Sequence, residues 1–224
     1  MTRVKICGLT REEDVDAAVN AGADAVGVIS GFPNSPRAVS ISRASSLFSR
    51  VPPLVTSVLV TTADALVADL DAVKRAAPAA IQLYGSSFSP QTVRRSFHAR
   101  LFRPYSVGRR MGDDGADVLS RVGDAVKGYD ALLTDTLLKG YDGGTGLTSD
   151  WSVCASIRKA IAPTPLILSG GLRPENVELA IATVAPFCVD VSSGVESAPG
   201  VKDEAKIRAF VKKASAAEER RVEQ

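Results

Sequence analysis

The sequence predicts an α/β protein, a single (β/α)8 TIM barrel with parallel strands. Three observations carry that expectation. Eight short runs rich in apolar and β-branched residues recur along the chain, and an amphipathic stretch follows each one. Most of the runs are continuous rather than alternating, as strands covered on both faces require. An open doubly wound sheet has the same rhythm, but the G-x-G-x-x-G turn that usually follows its first strand is absent.

In order, strands are expected over residues 4–7, 25–29, 54–60, 80–83, 101–105, 131–134, 165–168 and 188–191. Helices are expected over 11–21, 42–48, 65–77, 90–97, 115–127, 151–161, 174–183 and 203–214. Thr10 and Glu13 have the spacing of a capping box, which starts the first helix at about Arg11. Pro90 and Pro174 stand at first-turn positions, where a missing N–H costs nothing. The barrel domain is expected over 1–216. The polar residues 217–224 have no apolar period and are expected to fray as a tail.

Composition narrows the function. Of 224 residues, 45% are hydrophobic and 23% charged, ordinary for a globular chain with a large core. The 27 basic and 25 acidic residues leave a net charge of +2, which favours neither nucleic acid nor an anionic membrane. Arg109-Arg110 and Arg220-Arg221 are short, sit beside acids, and read as solvated loop and tail. No apolar run reaches membrane-spanning length, and the first strand begins too early for a signal peptide. Cys7, Cys154 and Cys188 are odd in number and widely spaced, and His98 is the only histidine. Free thiols in a reducing cytoplasm and no metal follow from that.

In a barrel the chemistry sits at the C-terminal strand ends and the loops that follow. The first strand delivers Cys7, between a strand end and a helix start, where the helix dipole and backbone N–H groups favour thiolate. A small buried hydrophobe is the plainer reading of the same residue. The second leads into Phe32-Pro33-Asn34-Ser35-Pro36-Arg37, a proline-bracketed loop that pre-orders one guanidinium for a carboxylate or phosphate, or for an acid on the rim. The fourth ends Gln82-Leu83-Tyr84-Gly85, and the fifth contains Arg103.

The sixth ends Thr134-Asp135-Thr136, ahead of a loop with Gly143-Gly144-Thr145-Gly146. Asp135 faces Cys7 across the mouth, as an acid and a base would for isomerisation by proton transfer. It could equally cap a helix or pair with Lys139. The seventh strand ends Ser169-Gly170-Gly171, and the eighth ends Asp190-Val191-Ser192-Ser193-Gly194. Glycines and serines at these two adjacent ends suit a phosphate cradle made of backbone N–H groups.

Taken together, these blocks resemble the phosphoribosylanthranilate isomerases of tryptophan biosynthesis. The match runs through Lys5-Ile6-Cys7-Gly8, Ser35-Pro36-Arg37, Gln82-Leu83-Tyr84-Gly85, Leu133-Thr134-Asp135-Thr136, Gly143-Gly144-Thr145-Gly146, Ser169-Gly170-Gly171-Leu172, Asp190 to Glu196, and Gly200-Val201-Lys202-Asp203. The resemblance implies an Amadori rearrangement of an N-linked phosphoribosyl anthranilate, without cofactor or metal. Asp135 would be its general acid and Cys7 its base. Arg37 would bind the anthranilate carboxylate, Gly171, Ser193 and Gly194 the phosphate, and Asp190 would support the site. The partner implied is a small phosphorylated substrate, with the protein a monomer or homodimer.

Four positions depart from the family's pattern. Tyr84 stands where His is common, and Thr134 where an aliphatic residue is usual. Leu147-Thr148-Ser149-Asp150-Trp151 lacks the common Lys and aromatic pair, and Ser30-Gly31-Phe32 is less apolar than usual. The nearest rival is the sister barrel of histidine biosynthesis, whose base at the first strand end is a carboxylate. Cys7 argues against it. Indole-glycerol-phosphate synthase would need a lysine acid, and a non-catalytic binding barrel would not need both Cys7 and Asp135.

Overall fold

The computed structural model describes residues 1–85, 89–107, 115–135 and 150–222. Eight parallel strands close into a barrel in sequence order, β1 pairing with both β2 and β8. They are β1 (Arg3–Ile6), β2 (Ala25–Ile29), β3 (Thr56–Thr62), β4 (Ala80–Tyr84), β5 (Arg100–Ser106), β6 (Ala131–Asp135), β7 (Leu166–Leu168) and β8 (Cys188–Val191). Between and after them run α1 (Glu12–Asn20), α2 (Ile41–Phe48), α3 (Ala63–Ala68), α4 (Leu70–Ala76), α5 (Pro90–Ser96), α6 (Gly115–Ala125), α7 (Trp151–Ala160), α8 (Val177–Val184) and α9 (Glu204–Val222). No helix among the described residues is long and apolar enough to cross a membrane.

Side chains alternate along each strand between the helices and the barrel axis. Val4 and Ile6, Ile81 and Leu83, Leu132, and Val189 and Val191 join the large apolar cluster beneath the helices. Lys5, Gln82, Leu133 and Asp190, their neighbours in sequence, therefore point inward. Ala131, Leu133, Ile167 and Cys188, with Phe102 against them, form a small apolar cluster inside the barrel. The polar side chains of β1, β4 and β8 share the same interior.

Several expected boundaries move. Thr10 does not cap α1: its hydroxyl donates to the Gly200 carbonyl at 2.7 Å, and Arg11 is the N-cap residue with no side-chain bond. The Leu9 amide bonds to Gly27 O at 3.0 Å, so the chain is still tied to the barrel where a cap would have to turn it. Pro52-Pro53 open a turn closed by Val55 N to Pro52 O, which delays β3 to Thr56 and leaves Leu54 97% exposed. The third helix breaks at Asp69 into α3 and α4. Pro90 is in the first turn of α5 as expected, but Pro174 sits in a turn ahead of α8.

Helical backbone continues in α9 to Val222, into the segment expected to fray, and Ala217 packs on the core. After β8 a short 3-10 turn (Ser193–Val195) leads into an unforeseen antiparallel pair, β9 (Glu196–Ala198) and β10 (Val201–Lys202).

Candidate active site

Cys7 follows directly on β1 and stays part of the barrel, its amide donating to Val191 O at 2.8 Å. The side chain is 5% exposed. Burial pushes the thiol above its ordinary value, and the Lys5 and Lys202 ammonium groups oppose that push without reversing it. The helix dipole expected to favour thiolate is not at hand. α1 begins at Glu12, and its first turn carries Glu12, Glu13 and Asp14. Positive charge reaches Cys7 from lysines instead.

Lys5 is among the largest fully buried side chains of the described residues. Its Nζ donates to Asp190 Oδ1 at 3.0 Å and to Gln82 Oε1 at 3.1 Å. Burial works against its charge, but Asp190 and Cys7 more than compensate and hold the ammonium above its usual range. Gly27 on β2 makes this arrangement possible. A Cβ there would lie 2.7 Å from Cys7 Sγ and 3.2 Å from Lys5 Nζ. A side chain at that position would displace both.

Asp135 ends β6 and receives the Tyr84 hydroxyl at Oδ2, 3.4 Å away. Tyr84 accepts in turn from Gln82 Nε2 at 3.1 Å. Burial, followed by the charges of Asp135 and Cys7, raises the phenol well above its ordinary value, so it stays protonated as a donor. Phe32 meets the Tyr84 ring edge-on, centroids 5.3 Å apart. Tyr84, Gly85, Arg103, Tyr105 and Asp135 help to line a cleft of about 250 Å³ on this side of the mouth. Arg103 itself donates to Gly85 O at 2.9 Å and lies over the Tyr129 ring.

Thr134 does not touch this group. It is fully buried on the helix side of β6, near Ile167 O at 3.5 Å and in hydrogen-bond reach of Cys154. Burial pushes the Cys154 thiol up to about 11. Thr134 is thus a packing residue beneath α7 and not a neighbour of the Asp135 carboxylate.

Arg37 is paired with an acid on the rim, the second of the two roles its loop allowed. Its Nε and Nη2 form a fork on Glu196 Oε1 and Oε2 at 2.8 and 2.7 Å. Lys202 Nζ bonds to the same Glu196 at 2.8 Å and to Ser192 O at 3.0 Å. Burial would raise the Glu196 carboxyl, but these two cations hold it below its ordinary value. Gly8, at φ +73°, lets the three chain segments meet: a Cβ there would lie 2.8 Å from both Arg37 Cδ and Ser192 Oγ.

The loops after β7 and β8 lie against each other. Gly170 and Gly171 have φ of 94° and 64°, values open to glycine at little cost. Gly194 is needed for space, since a Cβ there would fall 1.9 Å from the Leu172 carbonyl oxygen. Gly171, Ser193 and Gly194 are thereby gathered at one corner of the mouth. Asp190 is lower, 5% exposed and paired with Lys5 in the interior. The Gly143–Gly146 loop, Thr136, Lys139 and Arg109-Arg110 lie outside the described residues.

The structure thus brings Cys7, Arg37 and the two glycine-rich loops to one end of the barrel, with Asp135 on its β6 side. It adds Lys5, Gln82, Glu196 and Lys202, each present in a block that the sequence singled out but to which no role was given. Lys5 left a readable signal: a single charge between Val4 and Ile6, inside a strand that is otherwise apolar.

A family model described as N-(5'phosphoribosyl)anthranilate (PRA) isomerase matches residues 4–213. The chain is 46% identical over 220 residues to an N-(5'-phosphoribosyl)anthranilate isomerase of Halobacterium salinarum, covering 96% of this chain and 97% of the relative. Its fold is similar to the crystal structure of phosphoribosyl anthranilate isomerase from Thermotoga maritima, with TM-score 0.81 and 35% identity over 96% of this chain and 100% of the other. It is similar as well to a phosphoribosyl anthranilate isomerase solved in complex with reduced 1-(o-carboxyphenylamino)-1-deoxyribulose 5-phosphate. That likeness has TM-score 0.76 and 35% identity, over 96% of this chain and 100% of the other.

Proposed function

On the premise that this chain belongs to the N-(5'-phosphoribosyl)anthranilate isomerase family, an enzyme of tryptophan biosynthesis, we propose how its residues divide the work. The substrate is N-(5-phosphoribosyl)anthranilate and the product 1-(2-carboxyphenylamino)-1-deoxyribulose 5-phosphate, formed by an Amadori rearrangement. Asp135 as general acid protonates the furanose ring oxygen. The C1'–O bond breaks, and the substrate nitrogen takes up the positive charge as an iminium. That charge acidifies the C2' hydrogen, which Cys7 removes as thiolate. The resulting enolamine tautomerises to the ketone, with the substrate's own nitrogen as the electron sink.

The observation that best supports this reading is the placing of Cys7 and Asp135 at the same end of β1 and β6, both within electrostatic reach of Tyr84. The two roles make opposed demands, a deprotonated thiol and a protonated carboxyl. Lys5 serves the first, since a neighbouring cation stabilises the thiolate as it forms. The Glu196 fork uses one edge of Arg37 and holds the guanidinium still, leaving its Nη1 side for the anthranilate carboxylate. Gly171, Ser193 and Gly194 bind the phosphate through backbone N–H groups.

Decay of substrate fluorescence, with phosphoribosylanthranilate generated in situ, tests the reading. Rapid turnover by the wild type, lost in Asp135→Asn, is the expected result. Equal turnover in both would move the acid elsewhere. No turnover in either would turn attention to the related imidazole carboxamide substrate.

A further inference from the structure

We propose that Tyr84 is a positioning residue for Asp135, oriented by a hydrogen-bonded chain that starts at Lys5 and crosses the barrel. This rests on the reading of Asp135 as the acid and deepens it. The chain is Lys5 Nζ to Gln82 Oε1 (3.1 Å), Gln82 Nε2 to Tyr84 Oη (3.1 Å), and Tyr84 Oη to Asp135 Oδ2 (3.4 Å).

Its direction follows from its first member. A lysine ammonium has only donors, so Gln82 must turn its carbonyl oxygen to Lys5 and its NH2 group to Tyr84. The phenol oxygen is then an acceptor, and its single proton is free to point along the remaining contact, to Asp135. Lys5 is itself fixed by Asp190 at 3.0 Å, and the Tyr84 ring by the edge of Phe32. Each side chain in the chain has one orientation, set by the residue before it.

The consequence concerns how Asp135 gives up its proton. The Tyr84 bond to Oδ2 fixes the orientation of the carboxyl before it does so. Once that proton has gone, the phenol still donates to Oδ2 and stabilises the carboxylate formed. A phenol performs both tasks without changing its own protonation, because burial keeps it neutral. The position where related chains often carry His is therefore occupied here by a group that donates at any working pH.

The test compares kcat and KM for the wild type, Tyr84→Phe and Asp135→Asn in the fluorescence assay. Tyr84→Phe removes one oxygen and keeps the ring on Phe32. It should lower kcat about tenfold or more, the usual scale for a lost bond to a charged group, with KM within about twofold. A thermal midpoint close to that of the wild type would accompany that result. Turnover by Tyr84→Phe at the wild-type rate, beside an inactive Asp135→Asn, would overturn the positioning role and leave the acid in place. A change confined to KM would likewise overturn it, since it would make Tyr84 a binding residue. Full activity in Asp135→Asn would remove the acid and this proposal with it.

Discussion

Lys5 and Asp190 are partners twice over: their Cα atoms are paired in register across β1 and β8, and their side chains meet at 3.0 Å inside the barrel. The seam that closes the barrel is therefore also an ion pair, with each side chain less than a tenth exposed. Desolvating two such charges costs several kcal/mol, and the pair persists because Gln82 accepts a further Lys5 proton.

Lys5→Met leaves Asp190 buried without its cation. It should cost about 3–5 kcal/mol of stability, read from urea unfolding. The double variant Lys5→Met/Asp190→Leu, which removes both charges, should recover most of that loss. If the single variant unfolds at the wild-type midpoint, the pair carries no structural weight.

The pH dependence of Cys7 alkylation by a small haloacetamide should report its thiol. A base acts when deprotonated, and burial holds this thiol above its ordinary 9.0. The alkylation rate should therefore rise with pH through an alkaline midpoint and not level off near neutrality, whereas turnover also requires Asp135 to hold its proton. Cys7→Ser should abolish that limb and lower kcat by at least about a hundredfold, the usual scale for lost acid–base catalysis. Lys5→Met should move the limb to still higher pH, because the lysine charge is what opposes the upward shift.

Glu196 should govern stability in acid. Its carboxyl is held below the ordinary 4.5 in the folded protein, so its contribution is complete above that pH. The contribution is lost as pH falls through the lower folded value. Glu196→Gln should thus flatten the acid limb of a stability curve measured by urea midpoints between neutral and strongly acid pH. The same variant loosens Arg37 and should raise KM more than it lowers kcat.

Much of the barrel was legible because strands covered on both faces tend to be continuous apolar runs, and most of the eight runs are of that kind. Boundaries were harder where a tertiary bond outbid a local signal. Thr10 has capping-box spacing, yet its hydroxyl serves Gly200, 190 residues away. Leu54 looks like strand, but the prolines before it turn the chain outward. At the site, strand ends marked Cys7 and Asp135 as candidates, and their roles came only from the resemblance.

The partners of those two residues could not be read the same way. A fork such as Arg37 on Glu196 joins positions 159 apart and leaves no local pattern. Thr134 shows the converse. It stands next to Asp135 in sequence, yet neighbours in a strand face opposite sides of the sheet, so it serves α7 and not the site.

The Lys5–Asp190 seam also sets an order of events during synthesis. Lys5 emerges well before its partner, which follows 185 positions later. At about 5–20 residues per second, roughly 10–40 s separate the two. Throughout that interval an ammonium without its carboxylate has no stable place in an apolar interior and stays in water, so β1 cannot settle as a finished wall. The nascent chain carries Lys5 long before Asp190 can meet it, and the seam between β1 and β8 closes only once β8 has left the ribosome.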